Sequence, residues 1–555
     1  MSTALSDSQP HPLYYLHNFL RVLDWVDIRY PDLLNHSEQA FITRFRELPV
    51  SAQALLVRMV MRKGIYFRRS KLNYAEIGDH DLALAALQQQ GMLIVNPELT
   101  LSEAGRLLTA NEVNRLATRL EISVRTTKTQ LLTNIEGLCL AAQPWTDWHI
   151  GPSDPVYALT VMPECDRLRL MFFGNLHQAW STFVLEELGL QRYELVPFDH
   201  TARPFNRRDE VDIYLTLHAC REALDEGSSA QDILPLVPDV PDDNHWLLSR
   251  RDRLLYTLAY QLERAGQTDL ALSLYSGLRH PEARVRQIRV LERQERLSHA
   301  LELALEVQKT PANEAESQHM ARILLRLSRK LKIALPSSSP THAAAPTRIT
   351  PTETDEMTLA PLTECVERDV VVALHTAEAP VFFVENGLIN SLLGLLCWPA
   401  VFANIPGAFF HPYQAGPADL NQPDFLRRRE TLIADQLALL DSEAYKGFIR
   451  TMYQVKYGLQ SPFVYWPLLT EELLELSLTC IPATDLNALF TRILFDIPSN
   501  RSGLPDLIQF WPEQARYCLI EVKGPGDRLQ DNQRRWLSYF AAHGIPAQVV
   551  MVKRP

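Results

Sequence analysis

The chain has 555 residues, of which 46% are hydrophobic and 22% charged; 55 Lys and Arg face 66 Asp and Glu, a formal net charge of −11. This is more chain than one hydrophobic core usually serves, so two to four domains are expected, and the composition excludes a mostly disordered protein. The acidic balance leans away from a nucleic-acid partner, unless a domain-sized basic patch sits inside the acidic total.

Further classes drop out. No run of about 18 apolar residues is free of charge, so no membrane-crossing helix is expected. The opening residues, MSTALSDSQPHP, lack the charged and apolar regions of a secretory signal. Seven cysteines stand at 139, 165, 220, 365, 397, 480 and 518. No two are two to four apart, which offers neither a zinc pattern nor a disulfide framework and fits a reduced, intracellular, zinc-free protein.

Taken in chain order, residues 12–26, 37–63 and 80–91 repeat apolar positions every three or four residues and are expected to be helices. The stretch 64–100 reads as a small helical unit with a short strand pair, in the manner of a winged helix. Residues 107–137 read as helix, turn, helix, with Leu116, Leu120, Ile122, Leu131, Leu132 and Ile135 as a shared core. Arg115, Arg119, Arg125 and Lys128 stay outside, and the pair resembles a SAP motif, a two-helix DNA-binding element. Its plainer reading is an amphipathic pair with a solvated basic face.

Residues 250–333 form helical hairpins with an LxxAxxxG…ALxLY pattern, similar to a tetratricopeptide-type pair. They carry 16 Lys and Arg against 10 Asp and Glu, net +6, which leaves −17 for the rest of the chain. Arg279, Arg284, Arg286, Arg289, Arg293 and Arg296 crowd one hairpin, where Glu282, Glu292 and Glu295 could pair with them. Residues 334–356 are rich in Pro, Ser, Thr and Ala and read as a linker. The expected divisions are a helical N-terminal domain over 1–106, a SAP-like motif over 107–145, helical and repeat-like structure over 146–333, the linker, and a C-terminal α/β domain over 357–555.

The last 60 residues change pattern. LPDLIQFW (504–511), YCLIEVKG (517–524) and AQVVMV (547–552) are β-branched runs bounded by Gly and Pro, with a helix between the last two that ends at Gly544. Glu521 and Lys523 lie two apart on one strand, so both side chains point to the same face. Burying a carboxylate beside an ammonium is costly unless the charges are paired or metal-bound. If Asp506 lies on the neighbouring strand, two hard carboxylate donors converge beside one Lys. That set suits Mg²⁺ or Mn²⁺, with Lys523 able to orient a water or steady charge on a phosphate. The plainer reading is an interstrand salt bridge.

These residues carry a resemblance. LPDL…IEVKGPGDRLQDNQRRWL resembles the VRR-NUC variety of the PD-(D/E)XK, restriction-endonuclease-like fold. The order LLVRMVMRKGIYFRRSKLNYAEI, SAP-like pair, repeat-like helices, VENGLINSLLGLLCWPAVFANIPGAF and QAGPADL is similar to the Fanconi-associated nuclease family over most of 40–555. The resemblance implies a mainly α multidomain protein with a C-terminal α/β nuclease core. It implies a structure-specific DNA endonuclease that cuts near the base of 5′ flaps, with 5′→3′ exonuclease activity, in repair such as interstrand cross-link removal. By the same resemblance Asp506, Glu521 and Lys523 carry catalysis, while Glu385 and the Val522 backbone carbonyl join Asp506 and Glu521 in holding one or two Mg²⁺ or Mn²⁺ ions.

Branched or flapped duplex DNA is the implied partner. Gln533, Arg528, Arg284, Arg289, Arg68, Arg69, Lys71, Arg125 and Lys128 are its candidate contacts. Departures narrow the expectation. No Cys precedes 139, so the ubiquitin-binding zinc finger of animal members is not matched, and a bacterial, cytoplasmic, nucleoid-associated member is expected rather than a nuclear one. Arg284 matches one arginine of the 5′-phosphate pocket known in some members, but the second falls on Ile288, with Arg289 beside it. The rival readings are a Holliday-junction resolvase and a noncatalytic DNA-binding repeat scaffold.

Overall fold

The computed structural model describes residues 11–138, 140–149, 151–178, 180, 191–199, 202–333, 354–361, 363 and 365–555. Cys139 and residues 334–353 of the expected linker therefore lie outside the described residues. The chain divides into two compact units, Met1–Gln191 with Arg203–Val211, and Arg192–Ala202 with Asp212–Pro555. The division falls inside the stretch read from sequence as one helical region over 146–333.

The first unit starts with α1 (Tyr14–Arg29), α2 (His36–Glu47) and α3 (Val50–Val60). The single helix expected over 37–63 is two, because Pro49 has no N–H to continue the first ladder and serves instead as the entry to the second. Asn35 starts α2 by accepting from the Glu38 N–H, while Glu38 caps the Asn35 N–H in return. Then come β1 (Tyr66–Arg68), α4 (His80–Gln89), β2 (Leu93–Val95) and a short ladder between β3 (Glu98–Leu99) and β4 (Gln143–Pro144).

The expected strand pair in 64–100 does not form: β1 and β2 both pair with β5 (Val156–Leu159), which lies between them. Four residues at that distance gave no strand signal in the sequence. Between them lie α5 (Leu101–Leu107), α6 (Ala110–Arg119), α7 (Lys128–Glu136) and α8 (Trp145–Trp148). α6 and α7 pack through buried Leu116, Leu131 and Ile135, with Leu120, Ile122 and Leu132 half-buried beside them. α9 (Met162–Phe173) packs on α1 and α2, which ties it to this unit.

In the second unit, α10 (His245–Arg264), α11 (Thr268–Ser276), α12 (Ala283–Arg293), α13 (Leu297–Lys309) and α14 (Glu314–Leu331) stack in sequence order. Ala259, Ala271, Ala300 and Ala304 are fully buried, and these small side chains allow close helix approach.

Arg284, Arg286 and Arg293 of the crowded hairpin are paired, but with Glu263 and Glu316 rather than with Glu282, Glu292 or Glu295. Glu263 of α10 receives Arg286, Arg293 and the Tyr275 hydroxyl, Glu316 receives Arg284, and Glu292 receives Arg326.

The C-terminal sheet has five strands in the order β6–β10–β9–β8–β7. They are β6 (Thr354–Thr358), β7 (Val381–Phe383), β8 (Leu507–Trp511), β9 (Arg516–Lys523) and β10 (Ala547–Lys553). β6 and β9 run parallel to β10, while β8 pairs antiparallel with β9 and with β7. The last three strands stand where sequence expected them.

β6 begins inside the expected linker, because TDEMT is a polar edge strand without apolar alternation. α15 (Val366–Leu374) covers one face over Leu507, Ile520, Val522, Val550 and Val552. The other face packs on α16 (Gly387–Leu396) and α17 (Asp531–His543) through Ile508, Phe510, Leu519, Trp536 and Phe540. Among the described residues no single helix is long and apolar enough to cross a membrane.

Candidate active site

The β8–β9 register decides where the carboxylates meet. Leu507 pairs with Ile520, so Asp506, one residue earlier, falls opposite Glu521. Asp506 Oδ2 accepts the Val522 N–H at 2.9 Å. Its backbone carbonyl accepts the N–H groups of both Val384 and Glu385 at 2.8 Å. One residue thus joins the end of β7 to the centre of the sheet.

On β9 the alternation holds as expected. Ile520 and Val522 go to the α15 core, and Glu521 and Lys523 go to the opposite face. Lys523 Nζ lies 2.6 Å from Glu521 Oε1, yet that buried oxygen has no well-aligned hydrogen bond. Glu521 is 1% exposed and Lys523 is 9% exposed.

Burial raises the Glu521 carboxyl from its usual range to about 7; the Asp506 charge adds to the rise and Lys523 opposes it. Burial also raises Asp506, against the Val522 N–H and Lys523, with Glu367 and Glu385 pushing in the same direction as burial. Two carboxyls raised beside one ammonium are excess negative charge that a cation would relieve.

Glu385 is exposed and stands in the left-handed region at φ 40°, an uncommon conformation for a residue with a side chain. Its backbone is fixed by Asp506, and its carboxylate is close enough to act on the Asp506 charge. Glu367, at the start of α15, was not singled out from sequence. It bears on both Asp506 and Glu521, and its neighbour Val366 lies 3.5 Å from where a side chain on Gly524 would begin. Only the pairing of α15 with the end of β9 brings it there, and no local motif marks it.

The donor set fits a hard divalent ion. Glu521 Oε1 is a buried acceptor met by the Lys523 ammonium alone and without good alignment, and Asp506 lies opposite it on the same face. Among the described residues no three His, Cys, Asp or Glu side chains stand ready together as a complete cage. Two carboxylates, a backbone carbonyl and waters suit Mg²⁺ or Mn²⁺, which keep several waters in place.

The candidate DNA contacts separate. Arg68 is 8% exposed; it forms a paired contact with Glu112 at 2.7 Å and another with Asp154 at 2.7 Å. The Arg68 guanidinium ties β1 to the N-terminus of α6 rather than facing solvent. Arg69 pairs with Asp81, and Lys128 donates to the Leu108 carbonyl at 2.6 Å.

Arg284 is held by Glu316 and the Thr310 carbonyl, and Ile288 is fully buried. Gln533 accepts from the Gln530 N–H at 2.8 Å and so caps its own helix. Lys71, Arg125, Arg289 and Arg528 are exposed.

Two family models match the chain: "FAN1, HTH domain" over residues 13–94 and "VRR-NUC domain" over residues 441–554. The Fanconi-associated nuclease 1 homolog of Pseudomonas aeruginosa is 48% identical over 552 residues, 99% of this chain and 97% of that protein. The homolog of Oryza sativa is 23% identical over 98% of this chain, and Fanconi-associated nuclease 1 of Mus musculus 24% over 98%. The chain spans 63% and 62% of the length of these two relatives.

The crystal structure of paFAN1 bound to 2nt 5′ flap DNA with gap superposes with a TM-score of 0.89, at 47% identity, covering 99% of both chains. A second structure, with 1nt 5′ flap DNA with gap, gives 0.88 over 98% of this chain and 100% of that one. With a full-length relative at this identity, and with both family models in place, the chain belongs to the Fanconi-associated nuclease family.

Proposed function

We propose that the chain is a metal-dependent, structure-specific DNA endonuclease that cuts flapped duplex near the base of a 5′ flap, with 5′→3′ exonuclease activity, in DNA repair. The observation that carries this reading is Asp506 opposite Glu521, with Lys523 on the same strand face, in a chain 47% identical to a structure holding 5′ flap DNA. Mg²⁺ or Mn²⁺, one or two ions, is the expected cofactor, held by Asp506, Glu521, Glu385 and the Val522 carbonyl. When bound, such an ion supplies Lewis-acid polarisation of the phosphate and a more acidic attacking water.

The protein's own groups do the rest. Lys523, held against Glu521, is placed to orient that water and to steady charge on a phosphate oxygen. Asp506 sets the distance between the β7 end and β9 through three backbone N–H bonds. The α6–α7 pair acts as a SAP-like duplex grip, and α10–α14 as a tetratricopeptide-like support. Exposed Lys71, Arg125, Arg289 and Arg528 are the phosphate contacts, which fix position rather than read sequence. A cytoplasmic, nucleoid-associated location is the reading that goes with this activity, and the similarity to a bacterial homolog supports it.

Incubation with Mn²⁺ and labelled flap, splayed-arm, nicked and four-way substrates tests the reading. The flap is cut near its base, Asp506→Ala cuts nothing, and EDTA stops the reaction. Equal cutting by the variant sinks the site; symmetric cutting of the four-way substrate alone selects a junction resolvase instead.

A further inference from the structure

Segment 461–469, SPFVYWPLL, lies tightly along α16. Two glycines of that helix make room for it. A side chain on Gly394 would begin 2.6 Å from Phe463 Cβ and 2.9 Å from Val464 Cγ2, and one on Gly387 would run into Leu468. Phe463 and Val464 are buried at 4% and 7% exposure, and Arg501 holds the Pro462 carbonyl at 2.8 Å.

At the centre of this segment Tyr465 behaves differently. Its backbone is pinned: its N–H donates to Ser391 Oγ at 3.0 Å, and its carbonyl accepts from Leu468 at 3.1 Å. Its ring is 58% exposed and has no ring, cation or hydrogen-bond partner among the described residues. The ring edge lies 3.8 Å from where a side chain on Gly387 would begin. Gly387 is two residues from Glu385, whose N–H is bonded to the Asp506 carbonyl. An exposed aromatic ring on a pinned backbone therefore stands beside the first residue of α16, two residues along the chain from Glu385.

We infer that Tyr465 is a stacking platform for the first unpaired base beside the scissile phosphate, and so a specificity-determining residue for the junction. The inference rests on the flap-nuclease reading above. Inside duplex both faces of a base are covered by its neighbours, whereas the base at a flap junction has one face open. An aromatic ring on a fixed backbone takes that face with little loss of freedom, whichever base it is. Stacking on one ring is worth about tenfold in binding. Tyr465 therefore separates a flap from a nick, and it acts through substrate position rather than through the chemical step.

The test compares wild type, Tyr465→Ala, Tyr465→Phe and Tyr465→Trp on matched flap and nicked substrates in Mn²⁺. A second arm places 2-aminopurine at the first unpaired base and reads its fluorescence with protein in EDTA, where no cutting occurs. Tyr465→Ala is expected to raise KM on the flap about tenfold, to narrow the flap-over-nick preference, and to lose the 2-aminopurine quenching. The Phe and Trp variants keep all three, and melting temperatures match because the ring buries little. Unchanged KM, preference and quenching in Tyr465→Ala overturn the inference. A wild type that cuts no flap overturns the function reading instead, and the quenching arm then decides the stacking alone.

Discussion

Glu521, at the proposed metal site, is a position that is costly to the fold. In the metal-free protein its carboxyl is raised to about 7, so the folded state holds its proton where the unfolded chain has released it. The folded state thus binds more protons between the ordinary glutamate range and about 7, and stability falls as pH rises across that window. Glu521→Gln, neutral throughout, does not pay this cost. In EDTA the melting temperature of the variant is expected to exceed that of wild type at pH 8 by more than at pH 5, a gain on the order of 1–3 kcal/mol. A gap that narrows with rising pH contradicts the burial of this carboxylate.

At the same scale, Glu521 and Lys523 were legible because a strand alternates with period two, and Asp506 because Pro505 and an apolar run set it at a strand entry. Glu367 was not legible, since nothing near it in sequence announces that α15 ends beside β9. The pairing of Arg68 is not legible in the sequence, because its partners, Glu112 and Asp154, are 44 and 86 residues away. A basic cluster in sequence does not show which of its members have been neutralised.

At the scale of elements, the Arg68 pairs join β1, the α6 N-terminus and the loop before β5. Glu112 accepts Arg68 and the Thr109 N–H, which hold its carboxyl well below the usual range, with the Arg68 bond the largest cause. A depressed carboxyl contributes stability that is present above its ordinary value and lost as pH falls towards its folded value. Arg68→Met is therefore expected to cost about 2–3 kcal/mol at pH 7 and to flatten the acid limb of the stability curve, as denaturant titration reads it. If Arg68→Met instead weakens DNA binding with no loss of stability, the guanidinium serves DNA after all.

Helix α16 gives a second test. Gly394→Ala would push Phe463 from its seat, with an expected loss of about 1–3 kcal/mol and reduced cutting, since the same helix follows Glu385. The exposed pair between Arg322 of α14 and Asp531 of α17 is the contrasting case; Arg322→Ala is expected to change stability by less than about 1 kcal/mol. Helices with a clear apolar stripe were readable to within a few residues. Those broken by Pro49, and strands as short as β5 and β6, were not, because their identity comes from the partner they pair with.

For the whole molecule, −11 over 555 residues is a sum over unlike parts. The repeat-like segment is +6, yet Arg284, Arg286, Arg293 and Arg326 spend their charge on Glu316, Glu263 and Glu292. The basic surface free for DNA is thus smaller than the count suggests, and binding should be sharply salt-dependent. Replacing Lys71, Arg125, Arg289 or Arg528 by Ala is expected to lower the slope of log K against log salt by about one each, across sequences alike. Arg284→Ala should leave that slope unchanged. A slope unaffected by all of the first four places the DNA elsewhere.

The edge strand β6 carries a consequence for dissection. The stretch matched by the VRR-NUC model, 441–554, contains β8, β9 and β10 but neither β6 nor β7. Cut out alone, it would leave β10 with a bare parallel edge along residues 549–553, strip α15 from one face, and omit Glu385. A bare edge of that kind pairs with whatever strand it meets. The sheet also takes its outermost strand from residues that precede the helices buttressing the other side, so it cannot close until β10, the last of its five strands in sequence order, is in place. The catalytic module is therefore not a detachable cassette: a fragment that keeps the whole sheet begins no later than residue 354 and runs through β10.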